Sequence, residues 1–309
     1  MMAAKILTDW RDRLPAARGR VSYDAPLGIA TWFRVGGPAD FLLRPQDADD
    51  LAGFLAALSP ELPVTIIGAA SNLIIRDGGL PGIVIKLARG FSDIQIEADG
   101  IVAGAAALDV TIAEHAAAAG LTGLEFLSGI PGSLGGAVAM NAGAYGSDIR
   151  DMLDWAEIIG RDGALARYTA ADLALSYRHA SLPPGGVVVR ARLTARPGDR
   201  RAIAAKMADI KTSREASQPI RARTGGSTFR NPEGRKAWQL IDQSGCRGMV
   251  IGDAQISEKH CNFLINRGSA IAADLEALGD AVRARVLAET GVALLWEIKR
   301  LGIAQRSQS

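Results

Sequence analysis

The chain is poor in cysteine and histidine and lacks any long apolar run, and each shortage closes a class of function. Two cysteines in 309 residues, Cys246 and Cys261, cannot build a disulfide scaffold; they read as small core residues kept reduced. Three histidines, His115, His179 and His260, have no second His or Cys at ligand spacing, so no metal is expected. Asp, Arg or Gly interrupts each hydrophobic segment within about ten residues, far short of a bilayer span. No membrane partner is expected. The opening MMAAKILTDWRDRL breaks its apolar residues with charges and offers no small-residue cleavage site, which disfavours secretion and points to the cytoplasm. Lys and Arg number 35 against 33 Asp and Glu, a net charge of +2, so no global field exists to hold a polyanion. Nucleic acid is not an expected partner.

What is present is a chain long enough for two or three lobes, since a single core seldom grows further. VTIIG at 64–68, LIIRD at 73–77 and IVIKL at 83–87 are strand-length, β-branched and bounded by glycine turns. Residues 109–119 carry Val110, Ile112 and Ala113, then alanines, with Gly120 where a helix stops, so a helix is predicted. VVVRARL at 187–193 alternates in its second half, as a strand with one wet face does. Beyond Pro197-Gly198, Ile203, Met207 and Ile210 recur at helical spacing in a segment ending near Glu215. The last third reads as a short helix at 238–242, strands at 249–251 and 262–265, a long helix through Leu275, Leu278, Val282 and Val286, and a closing strand at 294–298. Strands and helices without a β-α-β rhythm indicate α+β lobes and not a doubly wound sheet. The expected division is 1–88 and 89–200 as two lobes and 205–309 as a further domain, with the boundary near 197–205.

The densest local signal is LEFLSGIPGSLGGAVAMNAGAYG at 124–146. Gly129, Gly132, Gly135, Gly136, Gly143 and Gly146 leave much backbone uncovered, so N–H groups there can approach an anion closely. Pro131 suits the first turn of a helix and Ser133 adds a hydroxyl, which together predict a phosphate site at a helix start. IIGAASNLIIRDGG at 66–79 follows a strand and offers Gly68, Ser71 and Asn72. Two such loops could grip both phosphates of a dinucleotide. The competing reading is that the glycines merely permit turns and close packing, and spacing alone does not decide. Neither G-x-G-x-x-G after a strand nor G-x-x-x-x-G-K-[ST] occurs, so any phosphate binder here is of another type.

These two stretches, with TWFRVGGPA at 31–39, LSYRHASLP, GGSTFRNP, LIDQSGCRGM, AQISEKHCNFLIN and LLWEIKRLG in that order, closely resemble the UDP-N-acetylenolpyruvoylglucosamine reductases. These are flavoenzymes of peptidoglycan precursor synthesis, and the resemblance runs from about Thr31 to Gly302. It implies a vanillyl-alcohol-oxidase-type FAD-binding region of two lobes followed by a C-terminal α+β substrate-binding domain. It places Ile67, Gly68, Ala69, Ser71 and Asn72 against the flavin pyrophosphate, Ala70 replacing the family's glycine. A methyl there is tolerated only at an ordinary backbone angle. Gly129, Ile130, Pro131, Gly132, Gly135 and Gly136 would form the second loop, with Asn141, Gly143 and Ala144 beside the cofactor and Gly36 and Gly37 as weaker candidates.

An enolpyruvyl double bond accepts hydride only if the charge beside its carboxylate is stabilised and then protonated, which calls for a cation and an acid. By resemblance Arg178 is the cation, suited to a bidentate grip on a carboxylate. Ser227 matches the serine that donates the proton. Glu297 matches the glutamate that assists at the enol, on an expected buried strand that would raise its pKa. Each has a plain alternative: surface arginine, turn serine, strand-edge carboxylate. The resemblance also implies NADPH as reductant, UDP-N-acetylglucosamine enolpyruvate as substrate, and Arg230, Asn231 and Arg214 as substrate contacts. The short spacing between Arg178 and Ser227 resembles the branch lacking an extra substrate-covering loop. A monomer is expected. Two other readings stay open: a flavin oxidase, which often tethers its cofactor through a histidine that neither glycine loop contains, and a non-catalytic nucleotide binder.

Overall fold

The computed structural model describes residues 10–305. Two compact units emerge: the described part of Met1–Tyr23 with Asp40–Ala69 and Gly82–Lys211, and Asp24–Ala39 with Ala70–Pro81 and the described part of Thr212–Ser309. The chain therefore passes between units several times, whereas a consecutive division assigns 24–39 and 70–81 to the first lobe.

The strands and helices used below run, in chain order, β1 (Arg20–Pro26), β2 (Pro38–Arg44), α1 (Ala48–Ala57), β3 (Val64–Ile67), β4 (Leu73–Ile75), β5 (Leu80–Lys86), β6 (Ile94–Glu97) and β7 (Gly100–Gly104). Then come α2 (Asp109–Ala119), α3 (Leu134–Ala139), β8 (Leu153–Ile159), β9 (Leu165–Tyr168), β10 (Val187–Thr194) and α4 (Arg200–Ser217). The chain continues with α5 (Ala237–Gln243), β11 (Val250–Ile251), β12 (Ala254–Ile256), β13 (Leu264–Asn266), α6 (Ala272–Thr290) and β14 (Lys299–Leu301).

In the first unit, a sheet of order β1-β2-β5-β3 sets β3 parallel to β5, from Val64 opposite Ile83 to Ile67 opposite Lys86. Helix α1 starts on Asp47, whose carboxylate accepts the Asp50 N–H, the usual service of an N-cap. Its Leu51, Phe54 and Leu55 join Phe41, Leu43, Ile83 and Ile85 in one apolar cluster. An antiparallel sheet of order β9-β8-β10-β7-β6 packs Ile101 and Ala103 with Ile112, Ala113 and Ala116 of α2. Helix α2 has the predicted bounds and ends on Gly120 at φ +75°, the left-handed cap that glycine takes without strain. Along β10 the three valines are all buried, and alternation begins at Arg190. The half of the strand with the alternating sequence is the half with one wet face. There Arg192 pairs with Glu97, Asp99 and Asp154.

In the second unit the antiparallel sheet β11-β12-β13 lies in a core with α6, whose Leu275, Leu278, Val282 and Val286 are fully buried as their spacing predicts. Cys246 and Cys261 are free and buried in the same cluster, and burial pushes the Cys261 thiol up to about 11. Both behave as small core residues. Strand β4 pairs in parallel with β14, Leu73 opposite Lys299.

One expectation needs correction. The closing strand is Lys299–Leu301 and not 294–298; that segment is held by a single bridge, Phe229 to Trp296, and by the Glu297 N–H on the Thr228 carbonyl. The first compact unit runs on into α4, to Lys211, and Arg196–Pro197 pairs with Leu121–Thr122. Among the described residues, no helix is long and apolar enough to cross a membrane, and no group of His, Cys, Asp or Glu is arranged to hold a metal ion.

Gly279 on α6 shows how tight the second core is, since a Cβ there would lie 2.1 Å from the Trp296 ring. Alanine normally favours a helix over glycine by about 1 kcal/mol. Here overpacking should win, and Gly279→Ala should lose about 1–2 kcal/mol in urea unfolding. A gain in stability would show that Trp296 can yield.

Candidate active site

The first unit brings the start of the first glycine-rich stretch, up to Ala69, against the second. Gly68, just beyond β3, sits so close to Ser133 that a Cβ on Gly68 would lie 2.7 Å from Ser133 Oγ. Ser133 is the N-cap of α3, but its hydroxyl makes no capping bond and lies beside the first loop. Pro131 lies outside the helix, not in its first turn as expected. The Leu134 and Gly135 N–H groups donate to the carbonyls of Ala107 and Ala105. The start of α3 is thus partly spent on internal bonds, while Gly136 has nothing within 4 Å of where a Cβ would stand. Gly129 and Gly135 have packing reasons instead, against the Tyr145 ring and Ala105.

Beneath this loop lies a residue the sequence reading used only as a helix start. Asp109 is fully buried, and neither carboxylate oxygen has a hydrogen-bond partner among the described residues. Its Oδ2 would lie 2.7 Å from a Cβ on Gly132, and its N–H donates to the Gly132 carbonyl. Burial alone pushes its pKa up to about 8. The only sequence signal was an acid between apolar Leu108 and Val110 at a helix start.

Arg178 occupies the tight Ser176–His179 turn, whose end residues exchange both backbone hydrogen bonds. Its φ is +56°, a region costly for a side chain with a Cβ. Its guanidinium lies 5.1 Å from the Tyr177 ring centre and donates from Nη2 to the Gly143 carbonyl at 3.3 Å. Asn141, expected beside a cofactor, has its amide fully engaged. Its Nδ2 donates to Asp148 and to the Ser176 carbonyl, and its Oδ1 accepts the Arg150 N–H. Its side chain thus ties the Arg178 turn to the second glycine stretch. Gly143–Ala144 pairs with Ser147–Asp148 in a short hairpin whose turn, Tyr145 and Gly146, has positive φ at both residues.

In the second unit, Ser227 bridges to Phe263 and is half-buried. The residue after it, Thr228, donates its N–H to Asn262 and accepts the Glu297 N–H at 2.8 Å. Asn72, at the end of the first glycine loop, donates to the Glu297 carbonyl at 3.2 Å, and its own carbonyl accepts the Lys299 N–H. The Ser227 segment, Glu297 and Asn72 are thereby joined. Glu297 is half-buried on irregular backbone, in place of the buried strand expected. Arg230 donates its N–H to Leu295. Asn231 accepts the Ala237 N–H at the start of α5, which gives it a structural task, and Arg214 in the last turn of α4 donates to Gln218 just beyond the helix. Gly36 and Gly37 abut Ile75 and Asp77 and serve close packing.

A two-part fold with paired glycine loops and a separate α+β domain defines a flavin-binding oxidoreductase class. Residues 39–169 match the FAD binding domain family and residues 218–301 the UDP-N-acetylenolpyruvoylglucosamine reductase C-terminal domain. The UDP-N-acetylenolpyruvoylglucosamine reductase of Acidiphilium cryptum is 71% identical over 306 residues, covering 99% of each chain. That of Granulibacter bethesdensis is 64% identical over 292 residues, 94% of each. The crystal structure of the Thermus caldophilus reductase superposes with a TM-score of 0.80 at 36% identity, over 93% of this chain and 100% of that one. 6-Hydroxy-D-nicotine oxidase from Arthrobacter nicotinovorans shares the fold, with a TM-score of 0.57 at 13% identity over 91% and 89%. The chain belongs to the UDP-N-acetylenolpyruvoylglucosamine reductase family.

Ala70, the departure from the family's glycine, has φ +54° and is buried. The angle is not ordinary, so the methyl is carried under strain. Left-handed backbone costs an L-residue about 1–2 kcal/mol, against about 0.5–1 kcal/mol for the added freedom of glycine when unfolded. Ala70→Gly should therefore stabilise the protein by roughly 0.5–1 kcal/mol in denaturant melts; a loss would mean that the methyl's packing outweighs its strain.

Proposed function

We propose that the chain is an NADPH-dependent flavoenzyme that reduces UDP-N-acetylglucosamine enolpyruvate to UDP-N-acetylmuramate, in the cytoplasm, during peptidoglycan precursor synthesis. The observation that carries this reading is the meeting of Gly68 with Ser133, paired with the chain that joins the Ser227 segment to Glu297. The first suits a dinucleotide's phosphates, and the second suits an enol.

The residues present fit FAD: bare backbone at Gly68, the unengaged hydroxyl of Ser133 in capping terms, and open space at Gly136. Ile67, Gly68, Ala69, Ser71 and Asn72 would hold it from one loop, and Gly129, Ile130, Pro131, Gly132, Gly135 and Gly136 from the other, with Gly143 and Ala144 beside them and Asn141 acting through the turn it anchors. Bound there, FAD supplies the hydride carrier between NADPH and the enolpyruvyl carbon. Lobes at 1–88 and 89–200 would hold it, and 205–309 would receive the nucleotide sugar.

Arg178 pairs with the substrate carboxylate and stabilises the charge that develops beside it. Its turn is already fixed by the Ser176–His179 bonds and by Asn141, so little reorganisation is required when the charge appears. Ser227 gives its hydroxyl proton to the carbon. A serine is a weak acid, and the step works because the developing carbanion is a strong base held against it. Glu297 acts at the enol oxygen. Arg230 and Arg214 would face the diphosphate; Asn231, whose Oδ1 is engaged by Ala237, would contribute through its amide nitrogen.

Three outcomes are expected. Ser227→Ala should leave flavin reduction by NADPH nearly intact and slow reoxidation by the enolpyruvyl substrate by several powers of ten, beyond the roughly 10²–10⁴ of ordinary acid catalysis. Equal losses in both half-reactions, followed by stopped-flow absorbance, would remove serine as the proton donor. Arg178→Lys should lower kcat/KM about 10- to 100-fold, the worth of charge-assisted bonds lost with the guanidinium fork. Gly68→Ala should weaken FAD binding about tenfold, near 1.4 kcal/mol, by forcing Ser133 aside; unchanged flavin fluorescence titrations would place the cofactor elsewhere.

A further inference from the structure

Full burial without a hydrogen bond is a costly state for a carboxylate and a tolerable one for a neutral carboxylic acid. Asp109 is in that state, and it lies directly behind Gly132 in the loop between the two glycine clusters. Because no part of it reaches solvent, it does not itself form the surface of the site. Any influence on a ligand runs through the loop or through its field.

We propose that Asp109 is a positioning residue for the cofactor loop, neutral when the loop is set to hold phosphates, so that FAD binding and a proton on Asp109 are linked. This rests on the flavin reading above. An ionised Asp109 would put a negative charge behind the amides meant for the dinucleotide's two phosphates, and a buried charge is poorly screened by salt. It would also draw those amides inward to satisfy its own oxygens. Both effects weaken FAD binding, and by reciprocity bound FAD raises the affinity of Asp109 for its proton.

The surroundings supply no counter-charge. Burial is the sole cause of the shift that takes Asp109 to about 8. Among elements packed on α2, the turn at Glu125–Gly129 carries Glu125, bonded to Thr122, Gly123 and Lys206. Strand β6 carries Glu97, paired with Arg192. Strand β7 and the Leu121–Thr122 strand carry no titratable group, nor does α3. On α2 itself, Glu114 and His115 are exposed.

The sign follows from the direction of the shift. The folded state holds the Asp109 proton more tightly than the unfolded chain, so its stabilising effect is complete below the ordinary carboxylate range. It declines as the pH rises toward about 8. Asp109→Asn keeps the shape and cannot ionise, so relative to the wild type its melting temperature, measured without cofactor, should rise steadily over that interval and level off beyond it.

The decisive test is calorimetric titration of FAD into the cofactor-stripped full chain, in buffers of different ionisation enthalpy. The wild type should take up close to one proton per FAD above pH 8 and almost none near pH 6, and FAD affinity should fall toward tenfold per pH unit above the transition. Asp109→Asn should bind FAD with no such uptake and a flat profile. Proton uptake that persists in Asp109→Asn, or its absence in the wild type at both pH values, overturns the linkage while leaving the flavin site standing. Failure of the wild type to bind FAD at any pH overturns the flavin reading and the linkage with it, whereas the melting comparison would still report whether Asp109 is neutral. If Asp109→Asn does not fold, the wild-type uptake alone decides.

Discussion

The peptide of Glu297 is the junction that ties three segments of the second unit together. Its N–H donates to Thr228 and its carbonyl accepts from Asn72, so three segments far apart in sequence are fixed to one backbone unit. Each of these bonds contributes only about 0.5–1.5 kcal/mol net, but their geometry is what matters. The serine segment, the glutamate and the end of the first glycine loop cannot shift independently. Trp296 reinforces the junction by sitting between Phe229 and the bare flank of Gly279.

Among the described residues, seven that are not glycine have positive φ, and four of them, Ala70, Asn141, Tyr145 and Arg178, lie in the two glycine-rich stretches or in the arginine turn. Such angles persist only where the surroundings over-determine them. Asn141 supplies that determination: its side-chain amide bonds to Asp148, Ser176 and Arg150, holding its own angle and the arginine turn together.

The helices were the most legible part of the sequence. Gly120 marked the end of α2, and the spacing of Leu275, Leu278, Val282 and Val286 named the buried stripe of α6. The closing strand was misplaced because LLWEI looks like a strand by composition, yet its hydrogen bonds are spent on Thr228 and on Arg230 and not on a ladder. Pro197 shows the same effect: it reads as a break, but its long-range pairing with Leu121 carries the chain on without one. The catalytic candidates were legible only through their motifs, since nothing local distinguishes Ser227 from any turn serine. Asp109 was invisible as a site because its significance lies in what it lacks, and absence of a partner is a property of the fold.

A net charge of +2 gives the chain no global field to hold a dinucleotide. On the reading proposed above, the glycine loops answer with backbone dipoles, which are fixed in direction and weak one by one. Dipoles of that kind are effective only where opposing charge is kept away. A carboxyl directly behind such a loop is compatible with phosphate binding in its neutral form and opposes it when ionised. On that reading, the burial that makes Asp109 costly as an anion also keeps the loop serviceable as an anion cradle.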